Sequence, residues 1–69
     1  MLWFLHYKKV QRIEDMNYHF TNTVEYINTG NYVRAKEECE QAQKLAEKLR
    51  DSSMRKRLQE YSFVIETVI

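Results

Sequence analysis

The chain of 69 residues contains no proline and a single glycine, Gly30. Because proline and glycine are the residues that most often interrupt helices, their scarcity favours long, unbroken helices. The apolar run near the start, residues 2–5, is too short to cross a bilayer, and it lacks the basic start and the small-residue cleavage site of a signal peptide. The composition therefore predicts one helical domain over residues 1–69, without a transmembrane segment.

Side chains that commonly act as nucleophiles, general bases or metal ligands are also scarce: the only cysteine is Cys39, and the histidines are His6 and His19. A lone cysteine cannot form an internal disulfide, which fits a reducing compartment such as the cytoplasm. These residues cannot supply a Gly-rich phosphate loop, a Cys-x-x-Cys pair or a Ser-His-acid arrangement. Asp15 and His19 lie one helical turn apart, and we expect a hydrogen bond there rather than a metal ion. We therefore predict no enzymatic activity, no metal and no cofactor.

Positive and negative charges nearly balance, since the formal net charge is +1. A dedicated nucleic-acid-binding protein normally carries a clear basic excess, which this chain lacks. A chain this short buries only a small core and usually depends on disulfides, a metal or a partner subunit. The size therefore favours a protein that works with a partner.

What the sequence does contain is an apolar pattern with alternating intervals of three and four, which places side chains on one face of an α-helix. Polar stretches at residues 28–31 and 51–53 interrupt it, so we expect helices over residues 2–28, 32–50 and 53–68. The predicted fold class is all-α: a three-helix up-down-up assembly with a long first helix. The positions predicted to face the core are Trp3, His6, Val10, Ile13, Asn17, Phe20, Val24, Ile27, Tyr32, Ala35, Cys39, Ala42, Ala46, Leu49, Met54, Leu58, Tyr61, Ile65 and Val68.

The turns carry specific signals. Gly30 is expected to end the first helix in a left-handed conformation, and Asn31 to cap the second. Asp51 and the two serines that follow it should cap the third helix. His6 and Asn17 are polar residues within the apolar pattern, and each is expected to form a hydrogen bond between helices. The alternative for Asn17 is that it fixes the register or the oligomeric state.

Residues 16–49 resemble a tetratricopeptide repeat. The shared positions are the aromatic Tyr26, the turn residue Gly30, the second aromatic Tyr32, and the small residues Ala35, Cys39 and Ala42. The resemblance fails where His19, Asn22 and Thr23 replace the usual large, apolar and small residues, and only one repeat is present. It implies a helical hairpin within residues 16–49 that contributes to protein binding.

The chain is also similar to the microtubule-interacting-and-trafficking domain, a three-helix domain with a comparable hairpin. Its third helix carries a pattern like residues 56–61, followed by an acidic residue, here Glu66. Both resemblances imply a module that binds peptides or helices between its own helices and performs no chemistry.

Two surfaces are predicted to bind. The first two turns of the first helix should extend beyond the second helix and expose an apolar contact surface with a basic rim. The predicted contacts are Leu2, Trp3, Phe4 and Tyr7, with Lys8, Lys9 and Arg12 at the rim. The alternative is a frayed start from which only Trp3 or Leu5 packs onto the third helix.

The second surface is the start of the third helix, where basic residues gather at the positive end of the helix dipole. An anion could bind there, and the residues concerned are Ser53, Arg55, Lys56 and Arg57. The alternative is that these side chains extend into water or reach Glu60 and Asp51.

We therefore expect a small interaction protein, an adaptor, inhibitor or regulator that docks onto a larger protein and forms a homodimer. Chains of this size are often regulators of phages or plasmids. The alternative is a small helical protein associated with nucleic acid through one of two basic groups. These are Arg50, Arg55, Lys56 and Arg57, or Lys8, Lys9 and Arg12.

Overall fold

The computed structural model describes the backbone of residues 2–69 and the side chains of residues 7–69. It contains α1 (Leu2–Asn28), α2 (Tyr32–Leu49) and α3 (Ser52–Val68), and no strand occurs within residues 2–69. The all-α, three-helix prediction is confirmed, and the helix ends agree with the expected ones to within one residue. Among residues 2–69, no helix combines the length and apolar character that crossing a membrane requires.

Helix α2 lies between the other two. It packs along α1 and along α3, whereas α1 and α3 touch each other only briefly. Short turns reverse the chain after α1 and again after α2, giving the expected up-down-up order in a molecule of 46 × 19 × 13 Å. Only the middle helix, α2, therefore packs closely against both of the others.

The core is small, as the length of the chain predicts. From α2 it contains a set of residues that we call the small-residue stripe, namely Ala35, Cys39, Ala42 and Ala46, each at most 2% exposed. Helix α1 contributes Met16, and α3 contributes Leu58 and Ile65. All four members of the stripe were expected in the core, and the prediction for α2 is confirmed.

The prediction of the buried face of α1 is partly wrong. Val10 and Ile13 are 37% and 38% exposed, and Asn17 is also exposed. Met16 and Thr23, seven residues apart and therefore on one face, are buried in their place. The physical reason is that α2 is the main neighbour of α1, so α1 turns this face toward the small-residue stripe. Within residues 7–69, Asn17 consequently makes no hydrogen bond to another helix. A role in oligomer state stays a prediction.

The first turn is closed as expected. Gly30 has a φ of +79°, its N–H donates to the Ile27 carbonyl at 3.1 Å, and the Asn31 N–H donates to the Tyr26 carbonyl at 2.8 Å. These two bonds form the Schellman arrangement that ends many helices. The Asn31 side chain then accepts a hydrogen bond from the Arg34 N–H at 3.3 Å and caps α2.

The second turn repeats this geometry without a glycine. Arg50 has a φ of +54°, its N–H donates to the Glu47 carbonyl at 3.1 Å, and the Asp51 N–H donates to the Ala46 carbonyl at 3.0 Å. The Asp51 carboxylate caps α3 by accepting from the Met54 N–H at 3.0 Å. A left-handed conformation is unfavourable for a residue with a Cβ, so Arg50 occupies a position that favours glycine.

Replacing Gly30 by alanine should destabilise the fold by about 1 kcal/mol, because alanine resists the left-handed conformation. A Cβ at this position would meet no atom within 4 Å, so the backbone conformation is the only cause. Urea unfolding followed by circular dichroism measures the change. An unaltered free energy of unfolding would contradict this account of the turn.

The reverse change, Arg50→Gly, should stabilise the fold by up to about 1 kcal/mol, since it relieves the same conformation at the second turn. Lys48→Gly, two residues earlier and inside α2, should instead destabilise by about 1 kcal/mol. Opposite signs for these neighbouring substitutions, measured by urea unfolding, are the expected result.

Candidate functional site: an apolar groove and a basic cleft

The brief contact between α1 and α3 leaves a groove of about 410 Å³ between them, which we call the α1–α3 groove. Phe20 of α1 and Tyr61 of α3, both half-buried, meet edge to face in its lining, with ring centroids 5.6 Å apart. The residues that line the groove are Phe20, Arg57, Glu60, Tyr61 and Val64. The lining therefore combines two aromatic rings with one cation and one anion.

Apolar surface continues from the groove in two directions. On the outer side of α3, Phe63 is 72% exposed and lies beside Val64. On α1, Ile13 lies seven residues before Phe20 and hence on the same face, with Val10 one turn further along. Two apolar residues that were expected in the core, Val10 and Ile13, are thus partly exposed on α1 near the face that carries Phe20.

A second depression, about 380 Å³ in volume, lies where α2 ends beside α1. We call it the basic cleft. Its lining consists of Lys8, Lys9 and Arg12 from α1 and of Lys48, Leu49 and Arg50 from the end of α2. The three cations predicted at the rim of a contact surface are therefore gathered together, and two cations from α2 join them. The positive potential comes from both helices at once.

The predicted contact residues preceding this cleft are only partly described. Tyr7 is 56% exposed, in agreement with a surface position. Leu2, Trp3 and Phe4 lie outside the described side chains, so their part in binding stays a prediction. Because residues 8–12 already lie beside the end of α2, the backbone of residues 2–7 continues α1 beyond it, as the helix lengths predicted.

The residues predicted to bind an anion at the start of α3 are dispersed. Arg57 lines the α1–α3 groove, Lys56 lies on the outer face of α3, and Arg55 lies beside Gln43 and Glu47 of α2. Ser53 is exposed in the first turn. The structure does not bring these side chains to one place, because consecutive residues of a helix point in directions about 100° apart.

A polar cluster that the sequence analysis missed joins α1 to α2. The ring of His19 donates from Nδ1 to Oε2 of Glu38, and the amide of Asn22 donates to Oε1 of the same carboxylate at 3.4 Å. His19 thus pairs with Glu38 and not with Asp15, so the expected bond to Asp15 is wrong. The available signal was that His19 and Asn22, three residues apart on one face, both depart from the repeat pattern.

Cys39 was expected to behave as a small apolar residue, and its surroundings agree. Its thiol is buried and donates to the Leu58 carbonyl at 3.5 Å. Burial, and secondarily the negative charge of Glu40, raises the pKa of the thiol from 9.0 to about 11. Within residues 7–69, no three His, Cys, Asp or Glu side chains are grouped as a metal site would require.

Comparison with protein-family models, with curated proteins and with solved structures finds no match. The resemblances to a tetratricopeptide repeat and to a microtubule-interacting-and-trafficking domain therefore stay predictions. What the structure contributes is geometry: an apolar groove, a basic cleft, and a polar cluster that joins two helices.

The Cys39 thiol should make the fold less stable at alkaline pH. Its pKa is raised on folding, so between pH 9 and pH 11 the unfolded chain releases this proton while the folded chain keeps it. Stability present below pH 9 should therefore be lost as the pH rises through this interval. The measurement is the free energy of unfolding of wild type minus that of Cys39→Ala across these pH values, and a difference that does not vary with pH would contradict the prediction.

The polar cluster should couple α1 to α2 energetically. We expect a double-mutant cycle of His19→Ala and Glu38→Ala at neutral pH to give a coupling energy of about 0.5–1 kcal/mol, as for other partly exposed hydrogen-bonded pairs. The matched control is the exposed pair Arg34 and Glu37, 3.9 Å apart on α2, whose coupling should be smaller. Equal couplings would show that the cluster has no special role.

Proposed function

We propose that the chain is a non-enzymatic protein-binding module, a small adaptor, inhibitor or regulator that acts by docking onto another protein. The observation that supports this most directly is the α1–α3 groove with its apolar continuations. Burying a single exposed phenylalanine contributes roughly 2–3 kcal/mol, so this surface offers a partner a substantial gain. Its mixed charges at Arg57 and Glu60 would add orientation more than affinity.

The shape of the groove favours a helical partner segment. Its lining comes from α1 and α3, and a partner helix laid between them would cover Phe20, Tyr61 and Val64. Such a segment would present apolar residues at intervals of three and four, which is the usual mode of recognition in grooves between helices.

The first partner to test is a second copy, because the chain itself contains a helix of suitable character. The outer face of α3 combines Phe63 and Val64 with Lys56 and Glu60, so it has both apolar and oppositely charged side chains. A two-fold axis beside α3 would bring this face against the same face of the other copy in an isologous contact, which would also cover the edge of the groove at Glu60 and Val64. Homodimerisation is therefore part of the proposal.

Light scattering over a range of concentrations tests the dimer. We expect a dimeric mass for wild type and a monomeric mass for Phe63→Ser/Val64→Ser, because this variant removes apolar contact area at exposed positions without opening the core. The control is Val33→Ser: Val33 is 65% exposed at the start of α2 and lies outside the groove. It should keep the mass of wild type, and unchanged circular dichroism should show all three proteins folded.

If wild type is monomeric at every concentration, the homodimer is wrong, and a different protein must fill the groove. Affinity capture from the native host with mass spectrometry then decides. A partner retained by wild type and by Val33→Ser but lost with Phe63→Ser/Val64→Ser would support the proposal. Equal capture by all three would overturn it as a function of this surface.

Other parts of the proposal come from the sequence. Contacts by Leu2, Trp3 and Phe4 would enlarge the interface at the start of α1, and Trp3→Ala/Phe4→Ala should then weaken binding to the same partner. The buried Cys39, which has no disulfide partner, supports a reducing compartment such as the cytoplasm. A phage or plasmid regulator remains an example of the class suggested by chain length.

A further inference from the structure

The basic cleft shares no described lining residue with the α1–α3 groove, and its lining is strongly cationic. Five cationic side chains from two helices line it, and no acidic side chain does. Like charges this close repel one another, so their gathering is unfavourable for the folded chain unless something offsets it.

Neighbouring carboxylates do not offset it. Within residues 7–69, the side chains of Lys9, Arg12, Lys48 and Arg50 form no ion pair, although the chain contains almost as many acidic as basic residues. Lys48 has a local explanation, since a cation in the last turn of α2 interacts favourably with the helix dipole. Lys9 and Arg12 on α1 have no such explanation.

The backbone conformation of Arg50 is a second feature of the basic cleft that is unfavourable for folding. Arg50 holds a left-handed backbone conformation that favours glycine, and its side chain lines the cleft. The first turn of the chain does place a glycine at the equivalent position, Gly30. An arginine at an unfavourable backbone position, next to Lys9 and Arg12, which form no ion pair, indicates that its guanidinium is used.

The dimensions of the cleft indicate a compact anion. Lys9 and Arg12 are three residues apart on α1, which corresponds to about 4.5 Å along the helix. Phosphates on one strand of duplex DNA follow at about 3.4 Å of helix rise, so this length matches about two phosphates, whereas dedicated duplex binders contact roughly six to ten. Two arginines can each donate two parallel hydrogen bonds to a phosphate.

We propose that the basic cleft binds a compact anion with two neighbouring phosphate groups, held by Arg12 and Arg50 with Lys9 and Lys48 beside them. The same chemistry is offered by a free diphosphate and by phosphate headgroups on a lipid surface. Leu49, an apolar residue of the lining, is compatible with either source.

The test uses inorganic pyrophosphate as the probe, with sodium chloride of the same ionic strength as reference. Pyrophosphate should raise the melting temperature of wild type in a saturable manner, because a ligand that binds only the folded chain stabilises it. In titration calorimetry, Arg12→Gln and Arg50→Gly should each weaken binding about tenfold, as expected for loss of a charge-assisted hydrogen bond.

The variants separate binding from folding. Arg50→Gly is expected to stabilise the fold while it weakens pyrophosphate binding, so reduced affinity in this variant cannot result from unfolding. Arg34→Gln removes an exposed arginine from the start of α2, outside the cleft, and should bind pyrophosphate like wild type. Equal weakening of pyrophosphate binding by Arg34→Gln and Arg12→Gln would overturn the proposal, because the loss of affinity would then follow from the lower net charge and not from the cleft.

Flotation with phosphatidylcholine vesicles, with and without phosphatidylglycerol, distinguishes the sources. Binding to the anionic vesicles by wild type and Arg34→Gln, but not by Arg12→Gln, would support the proposal with lipid as the source. Saturable binding of pyrophosphate without vesicle binding would support a free ligand. Binding to neither overturns the proposal, and so does binding to a duplex oligonucleotide alone, which would assign the cleft to nucleic acid.

Discussion

The approach of α1 and α3 to α2 depends on four small side chains. The small-residue stripe of Ala35, Cys39, Ala42 and Ala46 lets both neighbouring helices come close to α2. Met16, Leu58 and Ile65 complete the buried core, and partly buried apolar residues pack around it. A large residue at any position of the stripe would have to displace a whole helix, since protein interiors are close-packed and have few voids. The rest of the architecture follows from this contact.

The same contact explains the open side of the molecule. Because α2 occupies the inner faces of both neighbours, α1 and α3 meet only briefly, and the aromatic pair of Phe20 and Tyr61 remains accessible between them. A three-helix bundle with equal contacts would have closed this groove with Val10 and Ile13. Here those residues stay at the surface, so a small core and an available apolar surface have one cause.

The helix ends could be read from the sequence because their signals are local: Gly30, Asn31 and Asp51 act within a few residues of themselves. The buried face of α1 could not. Two sets of positions fit the three-four spacing and share Phe20, one containing Ile13 and Asn17 and the other containing Met16 and Thr23. Apolar character favoured the first set, but the second is buried.

Polar residues decide between those two faces. Thr23 is fully buried because its hydroxyl donates to the His19 carbonyl at 2.8 Å, within its own helix. His19 and Asn22 can face α2 because Glu38 accepts from both of them. These partners become evident only when two helices are placed side by side, and the basic cleft likewise depends on how far α2 extends along α1.

Two features of the chain contradict the local rules for a stable helical fold: an arginine in a left-handed turn, and apolar residues left at the surface of α1. Sequences normally agree with their structure at every level, and exceptions concentrate where a surface is used for something besides folding. The exceptions here lie at different places, one in the basic cleft and one along the α1–α3 groove. A purely structural protein would gain stability from glycine at position 50, and a closed bundle would bury Val10 and Ile13. That the chain does neither is the physical argument for two binding surfaces on one small fold.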